Sequence, residues 1–285
     1  MQNDNNDLEI NTPKVLAVRL LEEPVLYEGL TKPLKIECFN ERLNQLEHYV
    51  VKFHNNVTGK GCGIASEIIC SHLAHFFDIP TPNIATVEIT GGFYESVAIG
   101  WNQTDDTLTS LNQNKHDLNF GSKLLEDTTL SPTMLNRLEP EQKALAGRIF
   151  SFDALIYNAD RSKSKHNLFI HDEKYYIFDH ERAFNFLRNP NISTPNNLDF
   201  RNPDGSQFLQ DHLFRDELIE KDKYISDFVD KLDRLEETEL DRIILEVPSK
   251  IRDEHGSEIE LIKKHIMGVK RDSRDFLFNA LRILR

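Results

Sequence analysis

The chain has 285 residues, 39% of them hydrophobic and 28% charged, which is the composition of a globular protein long enough for one large domain or two lobes. Asp and Glu outnumber Lys and Arg by 47 to 34, and the net charge of −13 argues against a nucleic acid or an anionic membrane surface as the main partner. Cys38, Cys62 and Cys70 cannot all pair, the first residues are polar and acidic, and no apolar run nears the roughly 18–20 residues of a bilayer span, so a cytoplasmic protein with reduced thiols is expected.

Residues 1–12 read as a flexible tail. From 13 to 101 the pattern is mostly strand: KVLAVRLLE, PLKIECF, EHYVVKF, NIATVEI and SVAIGW are short β-branched or aromatic runs bounded by Gly, Pro and Asn. One helix interrupts them over about 62–77, with Ile64, Ile68, Leu73 and Phe76 as its apolar stripe, and Pro80 and Pro82 end it. Residues 102–133, rich in Asn, Asp and Thr, read as a connector of limited regular structure, with the hinge near 100–112. Helix returns over 139–157, opened by Pro140 and striped by Leu145, Ile149, Phe152 and Ile156. A hairpin is expected at 167–179, a loop at 188–206, then amphipathic helices near 222–235, 237–246 and 257–282. The organisation expected is α+β, a small antiparallel-sheet lobe with one packed helix (13–101) followed by a hinge and a mainly helical lobe (102–285).

The stretch 157–184, YNADRSKSKHNLFIHDEKYYIFDHERAF, carries the chemistry. With Glu173 at the turn centre, Asn167 falls opposite Asp179, so an amide oxygen and a carboxylate meet at the open end of the hairpin. Hard-oxygen ligands in that arrangement suit a Mg²⁺ ion that keeps some waters and takes phosphate oxygens. Asp160, in the polar loop after the long helix, is placed to orient a hydroxyl and accept its proton. Taken singly, Asp160 is equally a turn residue or cap, Asn167 a strand opener and Asp179 a hairpin cap; their coincidence in one hairpin favours the metal reading.

The sequence N-x-D-R, a short basic loop, an Asn opening a strand and then I-x-D-H resembles the catalytic loop and metal-binding Asp of HipA-like kinases, and more distantly that of phosphoinositide kinases. The resemblance implies a two-lobed protein-kinase-like fold, with Asp160 the catalytic Asp, Asn167 and Asp179 metal ligands, and ATP and Mg²⁺ as cofactors. The gap from Asp160 to Asn167 is wider than the family's Asp-x4-Asn, which points to a subfamily with a longer loop. The family also implies a strand lysine paired with a helix glutamate, and Lys52 in HYVVKF and Glu67 in IASEII fill those places. Gly29-Leu30-Thr31-Lys32-Pro33 stands where a phosphate-covering loop belongs, so Thr31 and Lys32 are candidate phosphate contacts, although an ordinary turn fits equally well. TGKGCG (58–63) is not a Walker A motif and reads as a lead into the Glu67 helix. Arg161, Lys163, Lys165 and Arg182 either steer an anionic substrate or solvate the loop. His48, His54, His72 and His75 lack further ligands at metal spacing and read as packed or surface imidazoles.

Kinases of this type phosphorylate protein Ser/Thr hydroxyls and often belong to toxin–antitoxin systems, which implies a protein acceptor and a cognate regulatory partner. Two alternatives stand beside that expectation: a nucleotide-sensing pseudokinase, and a small-molecule kinase of the aminoglycoside-phosphotransferase type. The second expects H-x-D-x-x-x-x-N, and here Asn158 stands in place of the His. Ser193 and Thr194, in the loop after Asp179, are candidate autophosphorylation sites.

Overall fold

The computed structural model describes residues 11–21, 31–100, 105–115, 118–126, 128, 138–188 and 208–285. Five strands, β1 (Lys14–Leu20), β2 (Leu34–Asn40), β3 (Gln45–Lys52), β4 (Ile84–Glu88) and β5 (Leu118–Lys123), close into a barrel in the order β1-β2-β3-β5-β4. This corrects the expected antiparallel sheet in two respects. The sheet has no open edge, and β1 runs parallel to β4, with Lys14–Leu16 beside Thr86–Glu88. Closure satisfies the backbone groups an edge strand would leave unpaired. The fifth strand comes from the segment read as connector: Leu118–Lys123 pairs with β3 on one side and β4 on the other, so the sheet extends beyond residue 101.

The described part of SVAIGW, Ser96 to Gly100, is helical, inside α2 (Gly91–Gly100). The Thr90 hydroxyl accepts the Phe93 N–H, the Thr90 carbonyl accepts the Tyr94 N–H, and Phe93 and Val97 point one face of the helix inward. With Leu111 of α3 (Asp105–Gln113) they complete the barrel's apolar core around Val15, Ile36, Tyr49, Val51 and Val87. The intervening helix α1 (Gly61–Phe76) is where the sequence places it, but it is buried nearly all round rather than along a stripe. A Cβ on Gly63 would lie 2.3 Å from the Thr58 carbonyl oxygen, so only glycine lets the 58–63 lead fold back on the helix.

A second, larger core joins α1 to the remaining helices. Of these, α4 (Pro140–Leu155) starts with Pro140 in its first turn and a capping box between Glu139 and Gln142. After it come the hairpin β6 (Leu168–His171) and β7 (Lys174–Ile177), then α5 (Arg215–Leu218), α6 (Lys223–Leu232), α7 (Glu237–Leu245), α8 (Ser249–Glu254), α9 (Gly256–Arg271) and α10 (Ser273–Ile283). The single helix expected over 257–282 is thus two, separated at Asp272, and α8 was not anticipated. A Cβ on Gly147 would stand 2.6 Å from the Cβ of Tyr224, which is how α4 and α6 pack so closely. α1 contacts β5 as well as α7, α8 and α9, and so runs between the barrel and the helices. Among the described residues no helix is long and apolar enough to cross a membrane.

Candidate active site

Lys52 ends β3, where alternation turns its side chain toward α1 and the end of the hairpin. Its ammonium donates to Glu67 Oε1 of α1 at 2.5 Å and to Asp179 Oδ1 at 2.6 Å, and lies 3.6 Å from Glu181 Oε2. The second Glu67 oxygen accepts the backbone N–H of His180 at 2.8 Å. Three segments remote in sequence therefore meet on one lysine. Burial disfavours the Lys52 charge, but the three carboxylates outweigh it and hold the ammonium more firmly protonated than usual. Burial likewise raises the Asp179 carboxyl, the Lys52 charge overcomes that, and the group stays below the ordinary carboxylate range. For Glu67 burial wins, and its carboxyl is raised despite Lys52.

Asn167 and Asp179 flank the hairpin, both in the left-handed region at φ 41° and 64°, which Asn and Asp tolerate better than most residues. Their register differs from the sequence expectation. Asp172 and Glu173 both have positive φ and form a two-residue turn that pairs Leu168 with Ile177, so Asn167 faces Phe178 rather than Asp179. Asn167 instead meets Asp160: its Nδ2 donates to the Asp160 carbonyl at 3.0 Å and lies 3.4 Å from Oδ2. The Lys165 ammonium joins Asp160 Oδ2 at 2.5 Å and stands 3.8 Å from Asp179 Oδ2, while Arg182 reaches within 3.6 Å of Asp160 Oδ1.

The loop carrying Asp160 is anchored from beneath. Asp153, fully buried in α4, accepts from Arg161 Nε at 2.7 Å, Asn158 Nδ2 at 2.8 Å and His212 Nε2 at 3.0 Å. Asn158 Oδ1 in turn accepts the Asp160 N–H at 3.1 Å. Arg161 continues outward, donating through Nη1 to the Asn167 carbonyl and through Nη2 to His180 Nε2 at 3.3 Å. Burial would raise the Asp153 carboxyl, yet the Arg161 guanidinium and the His212 bond hold it at about 2. His180, desolvated and facing Arg161, is pushed down to about 3 and stays neutral. Arg161 is thus neither a steering charge nor a solvated one. Of the other basic residues, Lys163 pairs with exposed Asp216 on the surface.

A cavity of about 530 Å³ opens over these groups, lined by the polar Lys52, Glu67, Lys165, Asn167, Asp179 and Glu181 and by the apolar Val50, Ile84, Phe120 and Phe178. Thr31 borders it; Lys32, left-handed at φ 41°, does not, and Gly29 and Leu30 lie outside the described residues. Asp160 is brought to the site through Asn167 and Lys165 rather than as part of the cavity wall. Leu124, Leu125 and Thr128, which follow β5, line the cavity where the sequence had suggested residues 100–112. Ser193 and Thr194 lie outside the described residues.

Sequence reasoning missed Asp153, His212 and Glu181. A lone carboxylate inside the apolar run IFSFDALIY was a readable signal for Asp153; His212 had none. Carboxylate oxygens of Glu67, Asp179 and Glu181 lie within 4.8 Å of one another, and Glu181 Oε2 is buried without a hydrogen-bond partner. Three hard oxygen donors with one unsatisfied fit a divalent cation such as Mg²⁺. A family model for HipA-like kinases matches residues 26–271. No curated protein matches the chain. The crystal structure of a Helicobacter pylori proinflammatory kinase, CtkA, is similar at 18% identity and a TM-score of 0.44, over 88% of this chain and 91% of that one.

Proposed function

The chain belongs to the HipA-like kinase family, and on that premise we propose that it is an ATP- and Mg²⁺-dependent kinase of protein Ser/Thr hydroxyls, working in the cytoplasm with a cognate regulatory partner. The observation that carries this reading is the Lys52 ammonium shared between Glu67 and Asp179 at 2.5 and 2.6 Å. A permanently protonated lysine held at the mouth of a cavity is suited to phosphate oxygens, and Glu67 keeps it there. The barrel forms the smaller lobe, extended to include β5, and the helices form the larger one. The apolar wall of Val50, Ile84, Phe120 and Phe178 takes the base, and Thr31 lies toward the phosphates.

Asn167 and Asp179 would hold the metal, which when bound neutralises charge between the β- and γ-phosphates. Asp160 orients the acceptor hydroxyl. Its oxygen forms a bond to the γ-phosphorus as the bond to the β–γ bridging oxygen breaks, Asp160 takes the hydroxyl proton, and ADP leaves with the bridging oxygen. Lys165, paired to Asp160 at 2.5 Å, places a positive charge beside the oxygens of the transferred group. Asn158 departs from the aminoglycoside-type H-x-D motif: it orients the Asp160 backbone as a structural amide and offers no imidazole.

The test is Mg²⁺-dependent phosphate transfer from γ-labelled ATP by wild type, Asp160→Ala and Asp179→Ala. Transfer to a protein acceptor that is lost in both variants supports the reading. Binding of ATP without transfer to itself or to any acceptor in a lysate replaces it with the nucleotide-sensing one.

A further inference from the structure

We propose that Glu181 is itself a metal ligand of this centre, placed two residues beyond Asp179 so that the pair Asp179 and Glu181 grips one divalent cation. The inference rests on the kinase reading above but concerns a residue to which that reading gives no role.

Glu181 is only 6% exposed. Its Oε1 accepts the Thr58 hydroxyl at 3.1 Å, and its backbone carbonyl accepts Arg188 Nη2, so the residue is fixed at both ends. Its other oxygen, Oε2, is buried and has no hydrogen-bond donor among the described residues. A buried carboxylate oxygen without a donor is expensive, and structural roles for glutamate normally satisfy both oxygens. Lys52 does not fill the gap: at 3.6 Å from Oε2 it is beyond hydrogen-bond reach, and its shorter contacts go to Glu67 and Asp179.

The neighbours show which oxygens remain for a cation. Both Glu67 oxygens are used, one by Lys52 and one by the His180 N–H. Asp179 Oδ1 is used by Lys52, and Oδ2 has, among the described residues, only the Lys165 ammonium at 3.8 Å. Within the three carboxylates, the oxygens without a hydrogen-bond donor among the described residues are therefore Asp179 Oδ2 and Glu181 Oε2, which would join Asn167 around the ion. The charges agree in sign: three carboxylates (−3) outweigh the buried Lys52 ammonium (+1), the half-exposed Lys165 ammonium is shared with Asp160, and a divalent ion would offset the remaining negative charge. Oxygen donors alone select a hard ion such as Mg²⁺ or Mn²⁺ over Zn²⁺.

The experiment titrates Mn²⁺ alone into the full chain and reads free Mn²⁺ by electron paramagnetic resonance, for wild type, Glu181→Gln and Asp179→Asn, with a thermal melt of each in chelator. Glu181→Gln is expected to weaken Mn²⁺ binding tenfold or more while melting at or above the wild-type temperature, because an uncompensated buried charge has been removed. Wild-type Mn²⁺ affinity in Glu181→Gln, with Asp179→Asn impaired, overturns the inference and leaves the kinase reading standing. Wild type that neither binds Mn²⁺ nor transfers phosphate overturns both. Should Glu181→Gln fail to fold, Glu181→Asp withdraws the carboxylate by one methylene, and the same tenfold criterion decides.

Discussion

Replacing Asp153 by Asn keeps the side chain's volume and removes its charge, and the structure assigns that change a large cost. Arg161 is 1% exposed, and the one carboxylate it meets among the described residues is Asp153, itself fully buried. Breaking a buried pair by neutralising one partner costs about 3–5 kcal/mol, since the surviving charge stays in the interior uncompensated. Against a total stability of about 5–15 kcal/mol this is a fifth or more. At roughly 2–4 °C per kcal/mol for a chain of this size, the melting temperature should fall by about 10 °C. The loss should also reach the chemistry, because Arg161 holds the Asn167 carbonyl and His180, while Asn158 ties Asp153 to the Asp160 backbone. Thermal unfolding by circular dichroism, with phosphate transfer measured well below the transition, tests both. The control is Lys163→Ala, whose partner Asp216 is more than half exposed; it should cost under about 1 kcal/mol and leave transfer intact. An Asp153→Asn protein that melts within about 2 °C of wild type and transfers phosphate normally would refute the idea that this carboxylate organises the loop.

Stability should also fall on acidification below neutrality. Burial holds His72 and His265 at about 4 and, with Arg161, holds His180 at about 3, so the unfolded chain binds protons first as pH drops below about 6.5. Their contribution is complete above that value and is lost as pH falls toward the folded-state values, about 1 kcal/mol for each imidazole at pH 5.5, which melts at pH 7.5 and 5.5 should reveal. Lys165→Gln should lower kcat by tenfold or more with a smaller change in the KM for ATP, since its ammonium contacts Asp160 rather than the apolar wall; an unchanged kcat would count against its proposed place. Gly63→Ala should cost at least 1–3 kcal/mol in a denaturant titration, because the new methyl meets the Thr58 backbone at 2.3 Å and backbone cannot yield as a flexible side chain does.

The elements and residues that could be read in advance are those whose signal is local. Asp160, Asn167 and Asp179 sit in one compact motif, and Lys52 and Glu67 lie in a clear strand and a clear helix; the structure brings the five within a single network of ion pairs and hydrogen bonds. What was hidden depends on partners distant in sequence. LNFGSK, with its Asn, Gly and Lys, carries little strand propensity of its own, and it is a strand because β3 and β4 each offer it a ladder. The apolar run SVAIGW suits strand or helix, and the Thr90 cap together with inward-facing Phe93 and Val97 decides for helix. The hairpin's register turned on whether the turn held two residues or centred on one, which rests on positive φ at both Asp172 and Glu173, a conformation Asp tolerates but Glu does not advertise.

The buried charges follow the same logic. Arg161, Lys165 and Arg182 are all basic residues near Asp160, and composition suggests the same solvated surroundings for each. Burial separates them. A guanidinium can enter the interior only where a carboxylate is already fixed, and Asp153, the one charged residue among the buried positions of its helix, supplies that partner for Arg161. Lys165 and Arg182 are about half exposed and remain free to respond to an arriving anion. The division is structural: one cation holds the loop in shape, and the two left at the surface stand beside Asp160, where the proposed reaction would bring phosphate charge.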